Sequence, residues 1–375
     1  MSTSEDLAHG LASLVEERSI IVCSGSGGVG KTTVSAAFGV EGARRGRRSC
    51  VVTIDPARRL ADALGLENLG NTPRRIDGPW PGQLSALMLD PKGTFDDLIR
   101  RYAETPEQAE GILGNRLYRN LSSALSGTQE YMAMEKLYEL AESGDFDLVV
   151  VDTPPTRNAL DFLDAPRRLT RFLGHRLFQV LLMPTRAYLR AVSVATQALL
   201  RTISKVAGAE IVQDAVTFFQ AFEGMEEGFR LRADHVRQLL GRPTTSFVLV
   251  TSPRQDAVDE AGWFAAKLNE SGLAVEGLVV NRVHPPFAST APLPRAPEAS
   301  DLAVLESNLR DQQAVNAREE ATVARIVTEV APSPVVRVPL LDVDVHDMAG
   351  LATVADHIFG ANGSPVVGAD RAELA

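Results

Sequence analysis

Residues 25–33 read Gly25-Ser26-Gly27-Gly28-Val29-Gly30-Lys31-Thr32-Thr33, and their spacing decides the fold. The Gly-x-x-x-x-Gly-Lys-Thr frame is that of a P-loop. Its glycines let the backbone curl until N–H groups point inward at phosphate oxygens. Lys31 reaches the β- and γ-phosphates, and the Thr32 hydroxyl is a ligand for Mg²⁺. Gly27, Gly28, Val29, Gly30, Lys31, Thr32 and Thr33 are therefore the candidate nucleotide contacts, with ATP and Mg²⁺ the expected cofactors. A P-loop follows a buried strand and opens a helix. Here residues 19–23 are apolar and β-rich, while residues 32–46 are Ala-rich and end in Gly46. The phosphate site is thus expected at a helix N-terminus, where the macrodipole favours anions.

Further strands are expected outward from this point. Residues 48–55 and 146–152 are β-branched runs that each end in Asp, and residues 84–89, 246–251, 273–281 and 335–338 complete the set. Continuous apolar runs separated by helical stretches imply a mainly parallel sheet covered on both faces, an α/β P-loop NTPase. Two stretches break the rhythm, about residues 93–142 and 158–240, and read as helical insertions. The expected organisation is a single ATPase domain over 1–360 with those insertions, and a disordered tail over 361–375. Residues 284–299 are Pro-rich and read as structureless.

The chain has 375 residues, is 45% hydrophobic and carries a net charge of −10. That charge disfavours a protein built to coat nucleic acid. No stretch approaches the ~20 apolar residues of a membrane span. The polar, acidic start is unlike a secretory signal; its Leu7, Leu11, Leu14 and Val15 suggest a short amphipathic helix. The two cysteines, Cys23 and Cys50, fall in expected core strands and read as small buried hydrophobes. The cytoplasm is the expected compartment. Within 165–209 there is no Asp or Glu but eight Lys and Arg residues, and the apolar residues keep helical spacing. This segment is a candidate surface for a hydrophobic client or an anionic membrane, against the plainer reading that its apolar stripe is internal core.

A nucleotide hydrolase needs a carboxylate supporting Mg²⁺ and a group positioning water. Asp152 and Asp55 both close apolar strands, where ligands gather in parallel sheets. Asp152 is assigned to the Mg²⁺ shell through water, and Asp55 to water activation, against the alternative that either is a helix N-cap. Asn281 closes another strand, and its amide offers a donor and an acceptor to a base edge.

These residues together resemble the ArsA family of deviant P-loop ATPases. The family includes the bacterial arsenite-pump ATPase and the eukaryotic ATPase that targets tail-anchored membrane proteins. The resemblance spans residues 18–282 through Gly25–Thr33, Asp55-Pro56-Ala57, Gly127-Thr128-Gln129-Glu130, Asp152–Thr156 and Asn281. It implies a nucleotide-sandwich dimer, with Asp55 as the water-activating switch I residue, Asp152–Asn158 as switch II, Asn281 at the adenine and Pro339-Leu340-Leu341 near the base. Four departures stand out. Ser26 occupies the position of a lysine that in the family reaches the partner's phosphates. Asn158 stands where the targeting branch has His. The Cys-x-x-Cys of a zinc clasp and the arsenite-holding cysteines are absent. No zinc and no iron–sulfur cluster are expected.

The resemblance therefore implies a Mg-ATP-dependent ATPase that cycles as a dimer and handles a hydrophobic or membrane-protein client. Because of Ser26, the alternative is a weakly catalytic subunit of a heterodimer with a lysine-containing paralogue. An arsenite pump and a DNA-partitioning or membrane-positioning ATPase are less favoured.

Overall fold

The structure is a computed structural model describing residues 4–55, 59–116, 118, 128–154, 218, 225–287 and 301–360. The expectations placed on Pro56-Ala57, Asn158, the basic stretch 165–209 and the tail fall outside the described residues. Those described divide into two compact units. One is drawn from 1–88, 140–159 and 243–375, the other from 89–139 and 160–242.

The first unit is built on eight strands: β1 (Ile20–Ser24), β2 (Arg48–Thr53), β3 (Arg74–Ile76), β4 (Gln83–Met88), β5 (Leu148–Asp152), β6 (Thr245–Thr251), β7 (Val275–Val283) and β8 (Val335–Pro339). They form one sheet in the order β3-β4-β2-β5-β1-β6-β7-β8. Every pairing is parallel except β3 with β4. β1, β5 and β6 are buried throughout, as strands covered on both faces must be. Register does the positioning: Asp152 of β5 pairs with Cys23 of β1 on one side and Thr53 of β2 on the other. Three strand ends thus meet where the P-loop begins.

The helices are α1 (Ser4–Glu17), α2 (Lys31–Arg44), α3 (Arg59–Ala63), α4 (Pro91–Tyr102), α5 (Pro106–Leu113), α6 (Thr128–Glu142), α7 (Glu226–Leu240), α8 (Gln255–Glu270), α9 (Asp301–Glu329) and α10 (Met348–Phe359). In α2 the residues from Val34 to Ala43 are all buried. Phe38 of α2 meets Phe359 of α10 edge to face at 4.9 Å. Burying a side chain of this kind contributes roughly 1.5–3 kcal/mol. Leu11, Leu14 and Val15 of α1 join the same core.

The second unit has its own core of Leu98, Ile99, Ile112, Tyr118, Tyr131 and Phe229. A polar network crosses it. Glu135, only 2% exposed, accepts from Arg232 Nε at 2.8 Å and from the Tyr131 hydroxyl at 2.9 Å. The Arg232 guanidinium also lies 3.9 Å from the centre of the Tyr138 ring. Burial pushes the Glu135 carboxyl upward, and Arg232 opposes that rise.

Candidate functional site

The loop between β1 and α2 is shaped by contacts that exclude side chains. A Cβ on Gly25 would lie 2.0 Å from the Val250 carbonyl oxygen of β6. Gly30 has φ +91, and its Cβ would lie 2.2 Å from Asn281 Nδ2. Only glycine combines that backbone with that approach. Lys31 Nζ donates to the Ser26 carbonyl at 2.9 Å, closing the loop on itself. Burial lowers the Lys31 pKa, while Asp152 and Asp55 act to raise it. The Ser26 side chain is buried, with no hydrogen-bond partner for Oγ.

Asp152 is 1% exposed. Its Oδ2 accepts from Thr32 Oγ1 at 2.8 Å and from Thr53 Oγ1 at 2.9 Å, while Oδ1 is buried without a partner. Burial pushes the carboxyl up to about 6, against the two hydroxyls and Lys31. A carboxylate with one oxygen uncommitted, held by the threonine that follows the P-loop lysine, fits the outer shell of a Mg²⁺ ion.

Asp55 closes the run that follows α2. Its backbone N–H donates to Thr53 Oγ1 at 3.2 Å, and its Oδ2 lies 3.3 Å from Arg59 Nη1. Asn281 Nδ2 donates to the Val29 carbonyl at 2.8 Å, and Asn281 Oδ1 accepts from the Arg282 backbone at 3.0 Å. Arg282 sits at φ +62 and donates from Nη1 to the Gly28 carbonyl at 3.0 Å. β7 thus holds two successive P-loop carbonyls.

Together these residues line a cavity of about 370 Å³. Gly28, Gly30, Lys31, Thr32, Thr33, Asp55, Asp152 and Asn281 all contribute to it, and Pro339, Leu340 and Leu341 form an apolar part of the wall. Gly27 and Val29 are not in the lining; Val29 is buried. Thr53, Arg59 and Arg282 were not expected from the sequence. Thr53 was findable, two residues before Asp55 at a strand end. No sequence pattern marked the two arginines.

The sequence matches the description "Anion-transporting ATPase" over residues 18–360, which include every site residue above. The chain belongs to the ArsA family. Curated relatives of this ArsA-family chain include the ATPase GET3 of Blastomyces gilchristii, 30% identical over 177 residues, or 46% of this chain and 51% of that protein. The ATPase GET3 of Podospora anserina is 33% identical over 166 residues, covering 44% and 48%. The chain thus spans about half the length of the curated relatives it matches. Family and fold agree with the sequence reading. Among the described residues, no helix is long and apolar enough to cross a membrane.

Proposed function

We propose that this ArsA-family protein is a cytoplasmic ATPase that hydrolyses Mg-ATP as a dimer and uses the cycle to handle a hydrophobic or membrane-protein client. The observation carrying this reading is Asp152, with one oxygen on Thr32 and Thr53 and the other uncommitted, beside Lys31 and one strand end from Asp55. Bound Mg²⁺ would neutralise charge between the β- and γ-phosphates. Thr32 and Asp152 are the residues to hold it, Asp152 through water. The P-loop N–H groups and Lys31 orient the polyphosphate, and Asp55 orients water by accepting its hydrogen bond. The water oxygen forms the new bond to phosphorus. The β–γ bridging oxygen leaves on ADP with the bonding pair, and the water proton ends on the released phosphate. Asn281, Pro339 and the leucines beside it are proposed to receive the adenine. Residues 165–209 are the proposed client or membrane surface.

A second reading is favoured by Ser26. A lysine at this position would add a cation to the phosphates of a partner subunit, and its loss points to a heterodimer with a paralogue that retains it. An arsenite pump is disfavoured, because soft As(III) takes converging thiolates. Cys23 and Cys50 lie buried on β1 and β2, separated by β5, and burial pushes the Cys23 thiol up to about 12.

Phosphate release by the purified chain, with and without Mg²⁺, tests the main reading. Mg²⁺-dependent hydrolysis, alone or with a co-purified paralogue, is expected. No hydrolysis in either preparation overturns it.

A further inference from the structure

Arg59 opens α3, and its Nη1 lies 3.3 Å from Asp55 Oδ2, with side chains 62% and 21% exposed. Both residues line the cavity that holds Lys31 and Thr32. The Arg59 charge is also felt at Lys31, whose protonation it opposes, so it adds to the positive field there. An ion pair this exposed is weak and readily exchanged. A terminal phosphate offers a guanidinium more charge than one carboxylate does, and oxygens spaced for its two-pronged fork. A triphosphate in this cavity therefore competes with Asp55 for Arg59.

We propose that Arg59 reads the terminal phosphate: it sits on Asp55 Oδ2 until a nucleoside triphosphate enters, then transfers to the γ-phosphate oxygens, so that the guanidinium no longer competes with water for that oxygen. The proposal rests on the ATPase reading of the cavity. While paired, Asp55 has an oxygen occupied by a cation and is a poorer acceptor for water. A diphosphate has no γ-phosphate to draw the guanidinium away, so the pair stays closed. Arg59 thereby does two things with one side chain. It separates triphosphate from diphosphate, and it keeps the water-orienting group engaged in the absence of substrate. Its exposure means that replacing it removes no core packing.

The test compares wild type, Arg59→Ala and Arg59→Lys. It measures affinity for a non-hydrolysable ATP analogue and for ADP, each with Mg²⁺, together with kcat. Arg59→Ala is expected to weaken the analogue about tenfold, leave ADP within about twofold, and lower kcat by about tenfold to a hundredfold. Arg59→Lys should fall between, since it keeps the charge but lacks the fork. Equal effects on both nucleotides, or no effect, overturn the proposal while leaving the ATPase reading in place. A wild type that binds neither nucleotide overturns both.

Discussion

Thr32 and Asp152, 120 residues apart in the chain, share a 2.8 Å hydrogen bond that joins the first turn of α2 to the end of β5. The bond takes one carboxylate oxygen and leaves the other buried and uncommitted. An acid pushed up to about 6 by burial is an anion the empty protein holds at a cost.

Asp152→Asn is therefore expected to act oppositely on stability and activity. A carboxyl with a raised folded pKa stabilises the fold below its ordinary value and loses that contribution as pH rises through about 6. The amide removes this dependence. Nucleotide-free Asp152→Asn should melt higher than wild type at about pH 8, with the gap narrowing below about pH 6 and closing only near about pH 4. Mg²⁺-dependent turnover should fall on the order of 10²–10³-fold. A variant that melts lower than wild type at both pH values would contradict this account.

Asn281→Asp keeps the size of the side chain and replaces its donor with an acceptor facing the Val29 carbonyl. The lost bond and the new repulsion should lower stability by about 1–3 kcal/mol. Nucleotide affinity should fall with it, because the P-loop loses a tether. Thermal melting and nucleotide titration read the two effects, and an unchanged melting temperature would show that the bond does not hold the loop.

In the second unit, Arg232→Ala leaves Glu135 buried without its cation. Breaking such a pair is expected to cost about 3–5 kcal/mol near neutral pH. The Glu135 carboxyl is raised by burial and held down by Arg232, so without Arg232 it rises further. A raised acid loses its stabilising contribution as pH rises. The deficit should thus be smaller in acid and grow towards neutrality, which melting curves across that range would reveal.

Ser26→Lys tests the two-chain reading. If a lysine supplied by a paralogue completes this site, the variant should hydrolyse ATP as a homodimer about tenfold faster than wild type. Equal rates, with wild type already a fully active homodimer, would remove the argument for a paralogous partner.

Much of the sheet was legible because buried parallel strands advertise themselves as continuous apolar runs: Val149, Val150 and Val151 leave little doubt about β5. The P-loop, Asp152 at the end of β5 and Asp55 two residues past β2 lie together where their type and position in the sequence put them. β3 was not legible, because a three-residue antiparallel edge beginning Arg74-Arg75 has no apolar run to show. The 29-residue α9 was also unexpected after the Pro-rich stretch. Arg59 and Arg282 stayed hidden for another reason. Their meaning lies in which oxygen each guanidinium reaches across the fold, and local spacing does not encode it. Asn281 was found by position, but its bond to Val29 is tertiary in the same way.

The grip of β7 on the loop has a consequence for how a nucleotide is received. Asn281 Nδ2 and Arg282 Nη1 take the carbonyls of Val29 and Gly28, and these oxygens would otherwise set partial negative charge against an incoming anion. With both engaged, the electrostatic sign of the cradle is fixed before any phosphate arrives, by a strand two places along the sheet from β1. Part of the loop's preference for an anion is thus carried by a strand outside the loop itself.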